Sequence, residues 1–117
     1  MPKDDWIFVA HILEMSQKAL TLVAGKSKEA YEQDEVLRLA LTRLIEVIGE
    51  AANRVSEEFR AAHPEIPWFE MIGMRHRIVH DYMNVDEDII WAVVQKDLPA
   101  LAEILQKIIP PEMLEQV

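Results

Sequence analysis

Residues 74–82, MRHRIVHDY, place Arg75, His76, Arg77, His80 and Tyr82 side by side in a chain of net charge −9. These residue types suit proton transfer around a phosphate. Imidazole gains and loses a proton near neutral pH, and guanidinium offers a planar, permanently charged fork to an oxyanion. Read as a helix, the segment puts His76 and His80, four apart, on one face. Arg75 and Tyr82, seven apart, share another face, about 20° out of line. Arg77 and Asp81 are spaced for a surface ion pair. Arg75 and His80 diverge by about 140° at ideal geometry. Reaching one ligand together therefore calls on the length of Arg75, on fraying of the helix end, or on a second copy across a two-fold axis.

Two plainer readings compete. Basic residues at a helix C-terminus complement its dipole without any further role. Paired histidines at i and i+4 also suit a metal, but the residues between them are Arg77, Ile78 and Val79. No glutamate stands at the general-base position of a zincin, and the neighbouring cations oppose a divalent ion. Neither a metal nor another cofactor is expected.

The chain has 117 residues, half of them apolar, which fits one domain over 1–117 with 110–117 as a short tail. Its acidity argues against a general nucleic-acid binder, because phosphate contacts come from clustered Lys and Arg. A nucleic-acid function must then be local to the basic segment. Cysteine is absent, so disulfides and thiolate metal sites are excluded. The opening MPKDDWIF carries acids where a secretory signal carries positive charge. No apolar run approaches the ~20 residues of a membrane span, so no membrane association is expected. A cytoplasmic protein fits these features.

The elements that must position the segment are helices, since glycines number only three and strand-type alternation is lacking. Asp4 or Asp5 can cap a first helix with Val9, Ile12, Leu13, Leu20 and Val23 on its apolar face, and Gly25 can end it. SKEAYEQ reads as a linker or a single turn. A long helix is expected from near Asp34 to about Ala62, with Gly49 marking a close backbone approach. Pro67 opens a third helix at Trp68 that carries the basic segment and ends near YMN. Asp86 caps a fourth helix, and Asp97 with Pro99 starts a last one. Trp6, Trp68 and Trp91 are expected in the core, and His11 and His63 are expected to be structural or solvated. The fold class is all-α, an up-and-down bundle of four to five helices.

The segment resembles the HEPN superfamily, and specifically its HepT-like toxins, whose motif R-x-x-x-x-H-x-Y corresponds to Arg75, His80 and Tyr82. Members commonly carry Asn directly after the arginine, where His76 stands here. The resemblance extends through RLIEVIGEAANRVSEEFR, PEIPWFEMIGMR and VHDYMNVDEDIIWAVVQKDLPAL, in that order. It implies a helical homodimer with motif helices facing across a cleft, and metal-independent endoribonuclease activity. Arg75 and His80 would be catalytic, while His76 and Arg77 could position the RNA backbone or simply be solvated. It also implies a minimal nucleotidyltransferase antitoxin as partner, which in some members transfers AMP to the tyrosine matching Tyr82. Glu46 and Glu50 could pair with Arg75 or, more simply, with Arg43 and Arg54. The rival class is a HEPN module that binds a partner or a nucleotide without cutting RNA.

Overall fold

A computed structural model describes residues 3–114, and every regular element among them is helical. α1 spans Lys3–Val23, α2 Lys28–Gln33, α3 Glu35–Arg54, α4 Glu57–Ala62 and α5 Trp68–His80. A 3-10 turn at Tyr82–Asn84 leads into α6, Glu87–Ala92. A π turn at Val93–Asp97 carries the chain into α7, Leu98–Ile108, and α8 is the closing turn Pro111–Leu114. α3 packs between α1 and α5, and α7 lies on α1. The all-α bundle expected from the sequence is the fold that forms.

Capping and periodicity explain most boundaries. Asp34 opens α3 by accepting from Leu37 N at 3.0 Å, and Leu37, Leu41, Ile45, Ile48 and Ala52 then turn inward at steps of three and four. Val9, Ile12, Leu13, Ala19 and Val23 face them from α1, with Ser16 buried in the same row. The Ser16 hydroxyl is satisfied locally, donating to the Ile12 carbonyl at 2.7 Å. Gly25, at φ +75°, follows α1 in the left-handed region, as its position in the sequence implied. Trp68 is in the core, while Trp6 and Trp91 are half-buried against Phe59 and Tyr31.

Three boundaries outside the basic segment differ from expectation. The long second helix stops at Arg54, because Val55 is extended and Ser56 caps the separate α4 by accepting from Phe59 N at 3.1 Å. The cause lies far away in sequence. Asp5 does not cap α1. It sits inside the first turn, 3 % exposed, and its carboxylate accepts from Ser56 N at 2.8 Å and Ser56 Oγ at 2.7 Å. A buried carboxylate needs donors, and in an unbroken helix the Ser56 N–H would be spent on the carbonyl four residues back. Second, Asp97 caps nothing: it stays helical, and α6 runs on into α7. Leu98 N–H reaches the Val93 carbonyl, a widened turn that accommodates the missing N–H and the ring of Pro99. Third, SKEAYEQ forms a docked helix rather than a linker. Ser27 caps it, Tyr31 is fully buried with its hydroxyl donating to Glu87, and Lys28 pairs with Asp88 at 2.8 Å.

Asp86 caps α6 as expected, accepting from Asp88 N at 2.9 Å and Ile89 N at 3.3 Å. Residues 111–114, expected within a tail, form α8 with Met113 buried; the last three residues of that tail, 115–117, lie outside the described residues. No helix among the described residues is long and apolar enough to cross a membrane.

Candidate active site

α5 carries the basic segment, and its inner side is fixed before its outer side can do anything. Pro67 precedes its first turn, and the Trp68 indole N–H donates to the His63 carbonyl at 3.0 Å, tying the start of α5 to the end of α4. Trp68, Met71 and Ile78 are buried on the inner face. Between them α5 comes so close to α3 that a Cβ on Gly49 would collide with Arg75 Cβ and the Met71 carbonyl. The close approach expected at Gly49 is therefore real, and its partner is the arginine of the motif.

Arg75 is rooted in that contact. It is half-buried, and its Nε is buried with no hydrogen-bond partner. Glu46 and Glu50 of α3 do not supply one. Glu46 lies 3.2 Å from Arg43 and Glu50 lies 3.4 Å from Arg54, the local pairs that were the simpler expectation. His76 and His80 are exposed on the outer side of α5, with ring centroids 4.3 Å apart and planes inclined by 46°. The i, i+4 reading holds for this pair. The large angular separation of Arg75 from His80 also holds: one side chain starts against α3, the other faces outward.

The helix end departs from expectation. Asp81 leaves helical geometry at φ −139°, ψ 41°, so α5 stops at His80 and does not run on to YMN. Tyr82 therefore falls in the 3-10 turn, 73 % exposed, and its seven-residue alignment with Arg75 along one helix is lost. Arg77 and Asp81 form no ion pair; the Asp81 carboxylate instead accepts from the Asn84 side-chain amide at 3.1 Å. Arg77 lines a hollow of about 290 Å³ with Asp81, Asn84 and Asp86. His11 is exposed on α1, and His63 is half-buried against Phe59 with Glu65 at 3.4 Å. Neither approaches a cluster of chemical interest. Among the described residues no three His, Cys, Asp or Glu side chains gather as a metal site requires.

The structure thus brings His76 and His80 together, roots Arg75 beside them on the inner flank, and presents Tyr82 just beyond the helix end. Chemically, this offers two imidazoles able to take or give a proton, and a permanently charged guanidinium rooted against α3. Phe69 and Gly73 were overlooked in the sequence, although the spacing 69, 73, 76, 80 (steps of four, three and four) places both on the outward strip of the imidazole pair.

Comparison with known proteins follows the same segment. The family described as ribonuclease HepT-like matches residues 12–108. A protein of Caldanaerobacter subterraneus subsp. tengcongensis named "Putative RNase" is 39 % identical over 104 residues, covering 86 % of this chain and 93 % of its own length. A "Probable ribonuclease HepT" of Thermococcus cleftensis is 39 % identical over 100 residues, covering 82 % of this chain and 91 % of its own. No solved structure matches the chain.

Proposed function

Because the chain belongs to the HepT-like ribonuclease family, we propose that it is a metal-independent endoribonuclease toxin that cuts RNA with Arg75 and His80. The observation that carries this reading is the outward imidazole pair, 4.3 Å between centroids, beside an arginine whose Nε has no partner. His80 accepts the proton of a ribose 2′-hydroxyl or returns one to the departing 5′-oxygen. Arg75 holds the phosphate and the charge that builds on its oxygens during the attack. His76 and Arg77 position the backbone. The 2′-oxygen forms a new bond to phosphorus as the bond to the 5′-oxygen breaks, leaving a 2′,3′-cyclic phosphate and a 5′-hydroxyl.

In-line displacement puts the attacking and leaving oxygens on opposite sides of phosphorus. Two neighbouring rings on one helix face stand on one side of it. A homodimer whose motif helices share a cleft supplies the opposite side, and doubles the positive groups in a chain that otherwise repels RNA. Control by a minimal nucleotidyltransferase antitoxin fits the exposed Tyr82. An AMP group attached there brings negative charge and bulk to the end of the basic segment, in competition with RNA.

Cleavage of labelled RNA by wild type, His80→Ala and Arg75→Ala tests the reading, with and without chelator. Each variant should lose about 10²–10⁴-fold in rate with helix content unchanged, and chelator should have no effect. Retained binding without any cleavage by wild type would favour the binding-only module. Co-expression with a minimal nucleotidyltransferase of the family's antitoxin type, followed by peptide mass mapping, should place adducts on Tyr82 and none on Tyr82→Phe.

A further inference from the structure

The hollow beside the end of α5 is lined by charges of both signs that do not meet. Arg77 borders it from α5, Asp81 and Asn84 from the turn that follows, and Asp86 from the start of α6. Its apolar side includes Ile78 and Ile90, both buried, and Val85, half-buried. Arg77 forms no ion pair among the described residues, although Asp81 stands four residues on, at a spacing that favours one. Asp86 is occupied, since one of its oxygens accepts from both Asp88 N and Ile89 N. Asp81 is not. Its Oδ1 accepts from the Asn84 amide at 3.1 Å, and a carboxylate has about four acceptor positions in all, so both oxygens keep room for a donor.

We propose that this hollow takes a guanine base of single-stranded RNA, with Asp81 on its Watson–Crick edge and Arg77 on its N7–O6 edge. The lining selects the base. A carboxylate accepts from two parallel donors, and a guanidinium donates two parallel hydrogen bonds. Guanine alone of the four RNA bases carries both matching edges, N1–H beside N2–H and N7 beside O6. Adenine sets a donor beside an acceptor on each edge, which suits an amide, and cytosine and uracil have no N7 edge. The apolar side of the hollow receives the face of the ring. Its place along the chain selects RNA as the source of that base. Arg77 stands one helical turn before His80 and Asp81 directly follows it, so a base held here hangs its ribose and phosphate beside the imidazole. This rests on the ribonuclease reading above and deepens it. Arg77 positions the backbone by holding the base attached to it, and the enzyme cuts next to guanosine.

Short single-stranded 2′-fluoro RNAs, which lack the attacking hydroxyl, separate recognition from cleavage. Uridine runs carrying one guanine, one adenine, one cytosine or no other base are titrated at fixed salt and followed by fluorescence anisotropy. Wild type should bind the guanine strand about 10-fold more tightly than the other three. Asp81→Asn keeps an acceptor for Asn84 but sets an amide donor against the donors of guanine. Loss of a negative charge should by itself strengthen the binding of any RNA. The guanine strand alone should therefore weaken in this variant, to the level of the others, while the other three hold or gain. Arg77→Gln should weaken all four strands, the guanine strand most. Equal affinity of wild type for the four strands, or a guanine preference that survives Asp81→Asn, overturns the proposal. Mapping the ends that wild type leaves on ordinary single-stranded RNA keeps the two readings apart. Cuts with no guanosine on either side sink the hollow and leave the nuclease standing. A guanine preference in the 2′-fluoro strands with no cutting of ordinary RNA does the reverse.

Discussion

The α2–α6 junction and the end of α5 use the same kinds of side chain and treat them in opposite ways. At the junction, Tyr31 donates to Glu87, Lys28 meets Asp88 and Asp86 caps the helix it precedes. At the end of α5, Tyr82 is open to solvent, Arg77 has no ion pair, and Arg75 keeps a buried Nε with no acceptor. The chain does not lack acids to complete the second set, since Asp and Glu number 21 against 12 Lys and Arg. A fold that pairs its polar groups in one place and leaves them open in another shows which of them hold the fold together. The open set is available to something outside the chain.

The sharpest way to break that contrast is Arg75→Lys, which keeps the charge but removes the Nε and the planar fork. Cleavage should fall about 10²-fold or more while the urea midpoint holds or rises, because a buried unpaired donor is gone. An unchanged rate would mean that cleavage does not use the planar fork of Arg75. Next in size is Gly49→Ala. Its methyl meets backbone at Met71 as well as Arg75 Cβ, so α3 and α5 must separate. Overpacking of this kind costs about 1–3 kcal/mol, and cleavage should fall with stability because Arg75 moves. Gly73→Ala, by contrast, should not destabilise the isolated fold.

Tyr31→Phe tests the satisfied side. It removes a buried hydrogen bond and leaves Glu87 short of a donor, with an expected loss of about 1–3 kcal/mol by urea titration and a cleavage change under two-fold. The pH dependence carries a sign. Burial, then the hydrogen bond to Glu87 and its charge, hold the Tyr31 hydroxyl protonated above the ordinary tyrosine range. The unfolded chain releases that proton near pH ~10, so this contribution is intact below that value and declines as pH rises above it. Wild type should lose stability more steeply above pH ~10 than Tyr31→Phe. The smallest effect should come from Glu50→Gln. With Glu50 turned to Arg54 on a solvated helix face, stability should change by about 0.5 kcal/mol or less. A cleavage change beyond two-fold would reconnect Glu50 to Arg75.

The sequence was most legible where the determinants are local. The helix start near Asp34, the cap at Asp86 and the His76–His80 pair each depend on residues within one turn, and each was readable. Gly49 announced a close approach without naming Arg75, because the partner is set by helix packing and not by spacing. The break at Val55–Ser56 depends on a carboxylate in α1 and has no local signal strong enough to interrupt the apolar periodicity. Residues 81–84 looked like the end of the third helix because nothing in them forbids one. Asp81 and Asn84 close this stretch by a side-chain bond that spacing alone does not favour over the Arg77–Asp81 pair. Pro99 suggested a new helix start, whereas a single widened turn accommodates it.

The two long-range polar links also bear on how the chain folds and opens. Asp5 reaches Ser56 across 51 positions, and Tyr31 reaches Glu87 across 56. The first joins α1 to the start of α4 and the second joins α2 to α6, and closing loops of that length costs chain entropy, so both are expected to form late in folding. Interactions absent from the transition state leave the folding rate nearly unchanged when they are weakened, and speed unfolding instead. The α2 segment and the start of α4 are thus the places where the native bundle first lets go, and their amide protons should exchange with solvent ahead of those in the α3–α5 contact that holds Arg75.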